Sequence, residues 1–133
     1  MKLHICAGDC GARPELLCFM DGLDAKLRQK VIMELAMLER TPLGLVGEPH
    51  VKHFSLERYR SLYELRAKGR TLVRIIFTQL PDGKLLLLYP FVKRQPRDTE
   101  RALDTALKLS CEVRAGRREA QALPICELEV GPP

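Results

Sequence analysis

Three apolar segments separated by turn residues occupy the middle of the chain and constrain its fold more than any other feature. The stretch SLYELRAKGRTLVRIIF, residues 61–77, divides at Lys68-Gly69 into two strands of a hairpin. LPDG, residues 80–83, is a second turn before another apolar run. The sequence therefore predicts a small sheet, with strands at residues 50–54, 62–67, 71–79 and 84–92. Four consecutive leucines in the last strand are typical of a strand buried on both faces.

A helical hairpin is predicted before the sheet. Its first helix covers residues 14–21, where Pro14 occupies the first turn and its missing N–H costs nothing. Asp24 is a favourable N-cap for a second helix over residues 25–40. One apolar stripe runs along that helix: Leu27, Val31, Leu35 and Leu38. We expect the hairpin to cover one side of the sheet, with a short strand at residues 2–7 before it.

One domain accounts for a chain of 133 residues. We assign this domain to residues 1–114, which end in a helix that begins at Asp98 as its N-cap. Residues 115–133 form a C-terminal tail, in which ICELEV alternates and is compatible with an added strand; disorder is the alternative. The final Gly-Pro-Pro is expected to be frayed. The predicted fold class is α+β, with the sheet mostly antiparallel.

Composition predicts a soluble, cytoplasmic protein without a membrane partner. No apolar run approaches the roughly 20 residues of a membrane span, and the start MKLHICAGDCGARPE has no signal-peptide core. Cys6 and Cys10 have no second close cysteine pair, so we predict no metal site and no cofactor. An odd number of cysteines argues against a disulfide framework and favours buried or half-buried thiols at Cys6, Cys10, Cys18, Cys111 and Cys126.

Positive charge is concentrated in the region of the predicted sheet. The whole chain has a net charge of +5, but residues 51–97 contain eleven Lys and Arg against three acidic residues. Several of these cations are arginines within predicted strands, which a solvated lysine-rich surface would not require. A localised basic face attracts polyanions, nucleic acid above all.

The order of motifs along the chain is also informative. LYELR is followed by RIIF, by DGKLLLLYPFVKR and by an amphipathic helix, while ELLCFMDGLDAKLRQKVIMELAMLER and GEPHVKHF precede them. This series, over residues 14–113, resembles the RelE/ParE toxin superfamily, in particular its HigB-like, phage-derived branch of type II toxin–antitoxin systems. The resemblance implies a RelE-like domain: a helical hairpin packed on a small sheet, followed by a C-terminal helix.

Three positions depart from the pattern of that branch. Tyr89-Pro90 stand where His-Gly is frequent, and Asp98-Thr99 stand where Thr-Pro often opens the last helix. Ala102 occupies a position where an acid is common. These departures leave the identity of the catalytic residues open.

The resemblance implies a growth-inhibiting toxin with a cognate antitoxin. RelE- and HigB-type toxins cleave mRNA on the ribosome without a metal, by attack of the RNA 2′-hydroxyl on the adjacent phosphate, which yields a 2′,3′-cyclic phosphate. ParE-type toxins act on DNA gyrase instead. We therefore expect an endoribonuclease with mRNA and the ribosome as further partners. The alternatives are a non-catalytic inhibitor of gyrase or other nucleic-acid machinery, and a degenerate member that only binds its partner.

The residues expected to act on RNA are basic side chains of the sheet and one tyrosine. Arginine stays charged and offers paired donors that match phosphate oxygens, and a phenol can donate a proton or stack on a base. The predicted catalytic residues are Arg66, Arg74, Tyr89 and Lys93, and the predicted RNA-binding residues are Lys52, Arg70, Arg94 and Arg97. This prediction fails if residues 66, 74, 93 and 94 lie on opposite sides of the molecule or are neutralised by carboxylates.

Each of these residues has a structural alternative. Arg66 and Arg74 could pair with Glu64 or with a helix acid, and Tyr89 could be an ordinary sheet aromatic. The basic residues at 93 and 94 could simply be solvated at a strand end.

Proton transfer needs a further group, because arginine and lysine are poor bases at neutral pH. Besides Tyr89, the candidates are His50 and His53 in the segment that leads into the sheet. Ordinary loop or strand histidines are the favoured interpretation for both.

Overall fold

A mostly antiparallel sheet of six strands forms the centre of the molecule. The computed structural model describes residues 2–129, so the expected fraying of residues 131–133 lies outside the described residues. The strand order is β2-β3-β4-β5-β1-β6, with β1 parallel to β5 and the other neighbours antiparallel. The strands are Leu3–Cys6 (β1), Val51–His53 (β2), Leu62–Lys68 (β3), Leu72–Gln79 (β4), Leu85–Lys93 (β5) and Ala120–Ala122 (β6).

Four helices pack around this sheet. They are Glu15–Asp21 (α1), Ala25–Arg40 (α2), Pro96–Arg114 (α3) and Ile125–Glu129 (α4). Asp24 caps α2, and its Oδ1 accepts a hydrogen bond of 2.9 Å from the Leu27 backbone N–H. The α+β class, the N-terminal helical hairpin and the helix that follows the sheet are confirmed.

Helices cover both faces of the sheet, and the helical hairpin covers one of them, as predicted. On one face, α1, α2 and α4 bury side chains such as Leu35 against Ile75 and Phe77. On the other face, α3 packs Leu103 and Ala106 against the sheet. The buried leucines of β5 divide between these two cores, because successive side chains of a strand point to opposite faces.

The start of α3 differs from the prediction. Gln95 is the N-cap, and Pro96 follows it at the first helical position, where its fixed φ is favourable. Asp98 lies in the first turn and reaches back, where its Oδ2 accepts hydrogen bonds from the backbone N–H groups of Arg94 (2.8 Å) and Gln95 (2.9 Å). Asp98 is therefore the N3 residue of a capping box whose N-cap is Gln95, and its assignment as N-cap is wrong.

A β-bulge in β5 changes which side chains reach the α3 face. Phe77 of β4 lies opposite Leu87 while Ile76 lies opposite Tyr89, so Leu88 is an extra residue on β5. Leu88 and Tyr89 both belong to the α3 side of the molecule, and Phe91 follows them there. Since a bulge shifts the alternation by one residue, it turns Tyr89 and Phe91 toward α3 and away from the helical hairpin.

The C-terminal tail closes one edge of the sheet. Strand β6 pairs antiparallel with β1, and Leu123 and Leu128 are buried in the core on the α2 side. Arg118 joins both ends of the chain: it donates to the Ala7 carbonyl at 3.0 Å and contacts Asp9 and Glu112 at 2.8 and 3.0 Å.

The sequence ICELEV does not form the strand that its alternation suggested. Residues 125–129 are helical, the added strand lies earlier, at residues 120–122, and Val130 falls outside the described residues. Pro124 precedes α4, where a fixed φ is compatible with a helix start. The helix turns Leu128 into the core on the α2 side.

All five cysteines carry free thiols, and four are exposed, so the expectation of buried or half-buried thiols is wrong except at Cys6. Burial raises the pKa of the Cys6 thiol to about 11.

Within residues 2–129, no helix has the length and apolar character needed to cross a membrane. In the same residues, no three His, Cys, Asp or Glu side chains are grouped as metal ligands.

Candidate functional site

Arg66 and Arg74 lie directly opposite each other on the neighbouring strands β3 and β4. Opposite residues of an antiparallel pair point to the same face. This is the α3 face, because Ile76, two residues after Arg74, belongs to the core on that side. Phe91 of β5 completes the row, opposite Arg74. The sheet therefore brings two guanidinium groups and one aromatic ring together.

A buried carboxylate lies between the two arginines. Glu64 has a side chain that is only 1% exposed, and its Oε1 accepts a hydrogen bond of 3.0 Å from Arg66 Nε. The same oxygen is 3.4 Å from Arg74 Nε, but without hydrogen-bond geometry, and Arg74 Nε is buried without a hydrogen-bond partner. Glu48, an exposed residue, is 3.8 Å from Arg66 Nη1. We call Arg66 and Arg74 the arginine pair, and Glu64 its carboxylate.

Arg66 makes the contact that was its structural alternative, while its role in binding RNA stays a prediction. One of its donors is already used by Glu64. The neutralisation is partial, because a single buried carboxylate faces two cations, and Glu48 is exposed enough for solvent to screen it. An excess of positive charge therefore remains on this face.

The second arginine, Arg74, is more deeply buried, with 11% of its side chain exposed against 24% for Arg66. Burial lowers the pKa of the Arg74 guanidinium, an effect that Glu64 opposes and the neighbouring Arg66 reinforces. Arginine begins from so high a pKa that it keeps its charge at neutral pH. Arg74 is thus a charged, partly desolvated donor, a state that favours binding of an anion.

A groove of about 490 Å³ opens beside the arginine pair. Arg66 and Arg74 line it together with residues of α2 and of the turn before β2, including Glu34 and His50. His50 Nδ1 is 3.0 Å from both carboxylate oxygens of Glu34. This contact fixes the orientation of the imidazole and leaves Nε2 as the ring nitrogen for a ligand.

Tyr89 lies in a neighbouring hollow and not in the groove of the arginine pair. This hollow, of about 300 Å³, is also lined by Phe91, Arg94 and Arg101. Because Phe91 lies opposite Arg74, the two cavities are adjacent on the sheet. Tyr89 and the arginine pair therefore line two adjacent cavities, and their joint action on RNA stays a prediction.

The environment of Tyr89 keeps its phenol protonated. Burial, and to a smaller extent Glu15, raises the pKa of Tyr89 above its usual range. Its ring stacks on Phe91 with 6.4 Å between the ring centroids. At neutral pH Tyr89 is therefore a proton donor or a stacking surface, and not a base.

The other predicted basic residues fall into two groups. Lys52 lies opposite Glu64, and Lys93 lies opposite Leu72, so both are on the same face as the arginine pair. The remaining three are exposed and lie elsewhere: Arg94 lines the Tyr89 hollow, Arg70 lines a separate hollow at the turn between β3 and β4, and Arg97 lies in the first turn of α3.

The two histidines have different roles. His53 Nε2 donates to the Arg60 carbonyl at 2.6 Å, and its ring stacks on Tyr63 with 4.5 Å between centroids, which is the ordinary role. His50 lines the groove. Sequence reasoning missed its partner Glu34, because one lies on a helix and the other in a loop 16 residues later.

Residues 18–110 match the family described as phage derived protein Gp49-like (DUF891). None of the curated proteins compared with this chain matches it. The matched segment begins in α1 and ends in α3, so it contains the arginine pair, its carboxylate and the groove, whereas β1, β6 and α4 lie outside it. It covers more than two thirds of the chain. The chain therefore belongs to the Gp49-like family of phage-derived proteins, which is part of the RelE/HigB-type toxin family and is associated with toxin–antitoxin systems.

Proposed function

We propose that this protein is a HigB-like toxin that cleaves mRNA on the ribosome and thereby inhibits translation. The observation that carries the proposal is the arginine pair: two guanidinium groups from neighbouring strands share one buried carboxylate beside an open groove. Membership of a RelE/HigB-type toxin family supports the same conclusion.

In the proposed reaction, Arg66 and Arg74 bind the phosphodiester that is cleaved. Two guanidinium groups against one buried carboxylate leave excess positive charge, which complements the single negative charge of a phosphodiester. Guanidinium donors are planar and match phosphate oxygens in pairs. Because the strands and Glu64 hold these donors before RNA arrives, they can stabilise the charge that develops on the phosphate oxygens in the transition state.

His50 is the proposed proton-transfer group. The RNA 2′-hydroxyl loses a proton as its oxygen bonds to phosphorus, and the 5′-oxygen of the leaving nucleotide gains one as its bond breaks. The products are a 2′,3′-cyclic phosphate and a 5′-hydroxyl. His50 is oriented by Glu34 in the groove that contains the arginine pair, the arrangement that a base of this kind requires. Tyr89, protonated at neutral pH, would donate from the adjacent hollow, and Lys93 would add positive charge.

Cleavage of a translated message tests the proposal. Purified protein is added to a reconstituted translation reaction, and the upstream RNA fragment is analysed for its 3′ end. We expect cleavage with a 2′,3′-cyclic phosphate on that fragment, because the RNA 2′-hydroxyl is the proposed nucleophile. An intact message in the presence of folded protein and translating ribosomes would refute the proposed function.

Replacement of His50 by glutamine tests the proton-transfer role. We expect cleavage to slow by about 100-fold, the lower end of the range for general acid–base catalysis. His53→Gln serves as the matched control, because it removes a histidine that lies outside the groove. Equal rates for the two variants would remove His50 from the mechanism while leaving phosphate binding by the arginines untouched.

A non-catalytic inhibitor of DNA gyrase or other nucleic-acid machinery is the second candidate. It is favoured by the contact of Arg66 Nε with Glu64, which leaves Arg66 fewer donors for a transition state than a free arginine has. A gyrase supercoiling assay, run with the same protein preparation as the cleavage assay, separates the two functions. Either function would be restrained by the antitoxin that the family suggests as a partner.

A further inference from the structure

A second hollow continues from the groove of the arginine pair along α2. It has a volume of about 480 Å³ and lies between the first turns of α2 and the turn that joins β3 to β4. Lys30 and Lys68 line both cavities, so the two are contiguous. Beyond them the second hollow is lined by Lys26 of α2 and by Arg70 of the turn.

The charge of this second hollow is strongly positive. The described residues of its lining include four exposed cations and one acidic residue, Asp24. The Asp24 carboxylate is engaged as the cap of α2 through the Leu27 backbone N–H. The N-terminal end of a helix carries a partial positive charge and adds to the attraction for an anion. The four cations are Lys26, Lys30, Lys68 and Arg70.

The two walls of the hollow are held at a fixed distance from each other. Lys30 Nζ donates to the Lys68 carbonyl at 2.9 Å, which bridges α2 and β3. Gly69 lies so close to Leu27 that an added Cβ would be 2.8 Å from Leu27 Cδ1. Because the turn and the helix are in direct contact, the two elements that carry the cations keep their spacing before any ligand binds.

The cations continue the row that begins at the arginine pair. Arg66 and Lys68 are two residues apart on β3, roughly 7 Å along the strand, and Arg70 follows in the turn. A chain of phosphates crossing the arginine pair would therefore meet further positive charge in one direction, along α2 and toward Lys26.

We propose that this hollow is a second phosphate-binding subsite, which holds the RNA backbone beyond the cleaved bond. The inference rests on the proposed function, because it takes RNA as the ligand of the arginine pair. RNA fits the hollow better than an acidic peptide does. A peptide helix docks through several apolar anchors. Among the described residues that line this hollow, one apolar side chain is present, that of Leu27.

Binding of uncleavable RNA tests the subsite. The double variant Lys26→Gln/Arg70→Gln is compared with Lys108→Gln/Arg117→Gln, which removes the same charge from exposed positions outside both cavities. Both are titrated with 2′-O-methyl RNA of two and of twelve nucleotides at several salt concentrations. For the twelve-nucleotide RNA, the first variant is expected to bind about tenfold more weakly at low salt than the control. The slope of log affinity against log salt concentration should become shallower by about 1.4, or roughly 0.7 for each lost contact.

The length of the RNA decides the outcome. Unchanged affinity for the dinucleotide supports a subsite that lies away from the arginine pair. Equal binding of the long RNA by both double variants would overturn the inference. The inference would also be overturned if a twelve-residue polyglutamate peptide bound the wild type but not the first variant, while RNA binding was unchanged. Since the RNA is uncleavable, failure of the nuclease proposal leaves this binding difference measurable.

Discussion

Replacing Arg74 with alanine is expected to slow RNA cleavage by about 100- to 1,000-fold. Arg74 is a partly desolvated donor on a central strand, opposite Arg66 and beside the groove. Loss of one preorganised donor at a developing oxyanion typically has an effect of this size. Cleavage of a translated message, measured as initial rate at equal protein concentration, provides the test.

Two further variants make this result specific. Arg74→Lys keeps the positive charge next to Glu64 but loses the paired donors, so its rate should fall between those of the wild type and Arg74→Ala. Arg117→Ala removes an exposed arginine from the segment after α3 and should cleave at the wild-type rate. If Arg74→Ala is folded and cleaves as fast as Arg117→Ala, the arginine pair is not the catalytic centre.

Replacing Glu64 with alanine is expected to lower the free energy of unfolding by about 3–5 kcal/mol. Glu64 is buried beside two guanidinium groups, and its removal leaves the partly desolvated Arg74 without an anion. Breaking a buried ion pair from one side leaves an uncompensated charge, which explains the size of the effect. Urea denaturation followed by circular dichroism, with linear extrapolation to water, measures it.

The control and the rescue for Glu64 follow from the same argument. Glu100→Ala removes an exposed acid from α3 and should change stability by less than about 0.5 kcal/mol. The double variant Glu64→Leu/Arg74→Met replaces the carboxylate and the more buried of its two arginines with apolar groups, leaves the more exposed Arg66, and should recover most of the lost stability without recovering cleavage. A loss of less than about 1 kcal/mol for Glu64→Ala would show that the carboxylate does not hold the arginines in place.

Local signals in the sequence were sufficient for most of the fold. The helix over residues 25–40 has both a capping Asp24 and one apolar stripe, and it was predicted with the bounds that it has. Each of the five predicted strands agrees with an observed strand to within one residue at both ends, because turn residues separate the strands clearly. Each of these signals acts over a few neighbouring residues, so tertiary contacts did not need to be known.

The errors arose where distant contacts decide the structure. ICELEV alternates like a strand, but the edge beside β1 is filled by residues 120–122 and the core takes Leu128 from a helix. The bulge in β5 depends on the register with β4, which alternation within one strand does not reveal. Pro90 was the available signal, since proline within an inner strand is usual only at a bulge.

For the candidate site, the sequence indicated that the strands carrying Arg66 and Arg74 are neighbours, but not that the two arginines share one carboxylate. The observed hairpin is centred on Arg70, which places Arg66 opposite Arg74. A hairpin centred on Lys68-Gly69 would have placed Arg66 opposite Thr71, so the sequence indicated neighbouring strands but not this pairing. Glu64 was considered as an alternative partner for Arg66 and for Arg74, and one of its oxygens lies close to both. The contact of His50 with Glu34, and the groove along α2, require the packing of a helix against the sheet and have no local signal.

Nuclear magnetic resonance of the arginine side chains tests the central claim most directly. Protein labelled with ¹⁵N is titrated with uncleavable 2′-O-methyl RNA, and the Nε–Hε signals of Arg66, Arg74 and Arg117 are followed. We expect the signals of Arg66 and Arg74 to shift together and to saturate at the same RNA concentration, while that of Arg117 stays unchanged. RNA binding that leaves both the Arg66 and Arg74 signals unmoved would contradict the account.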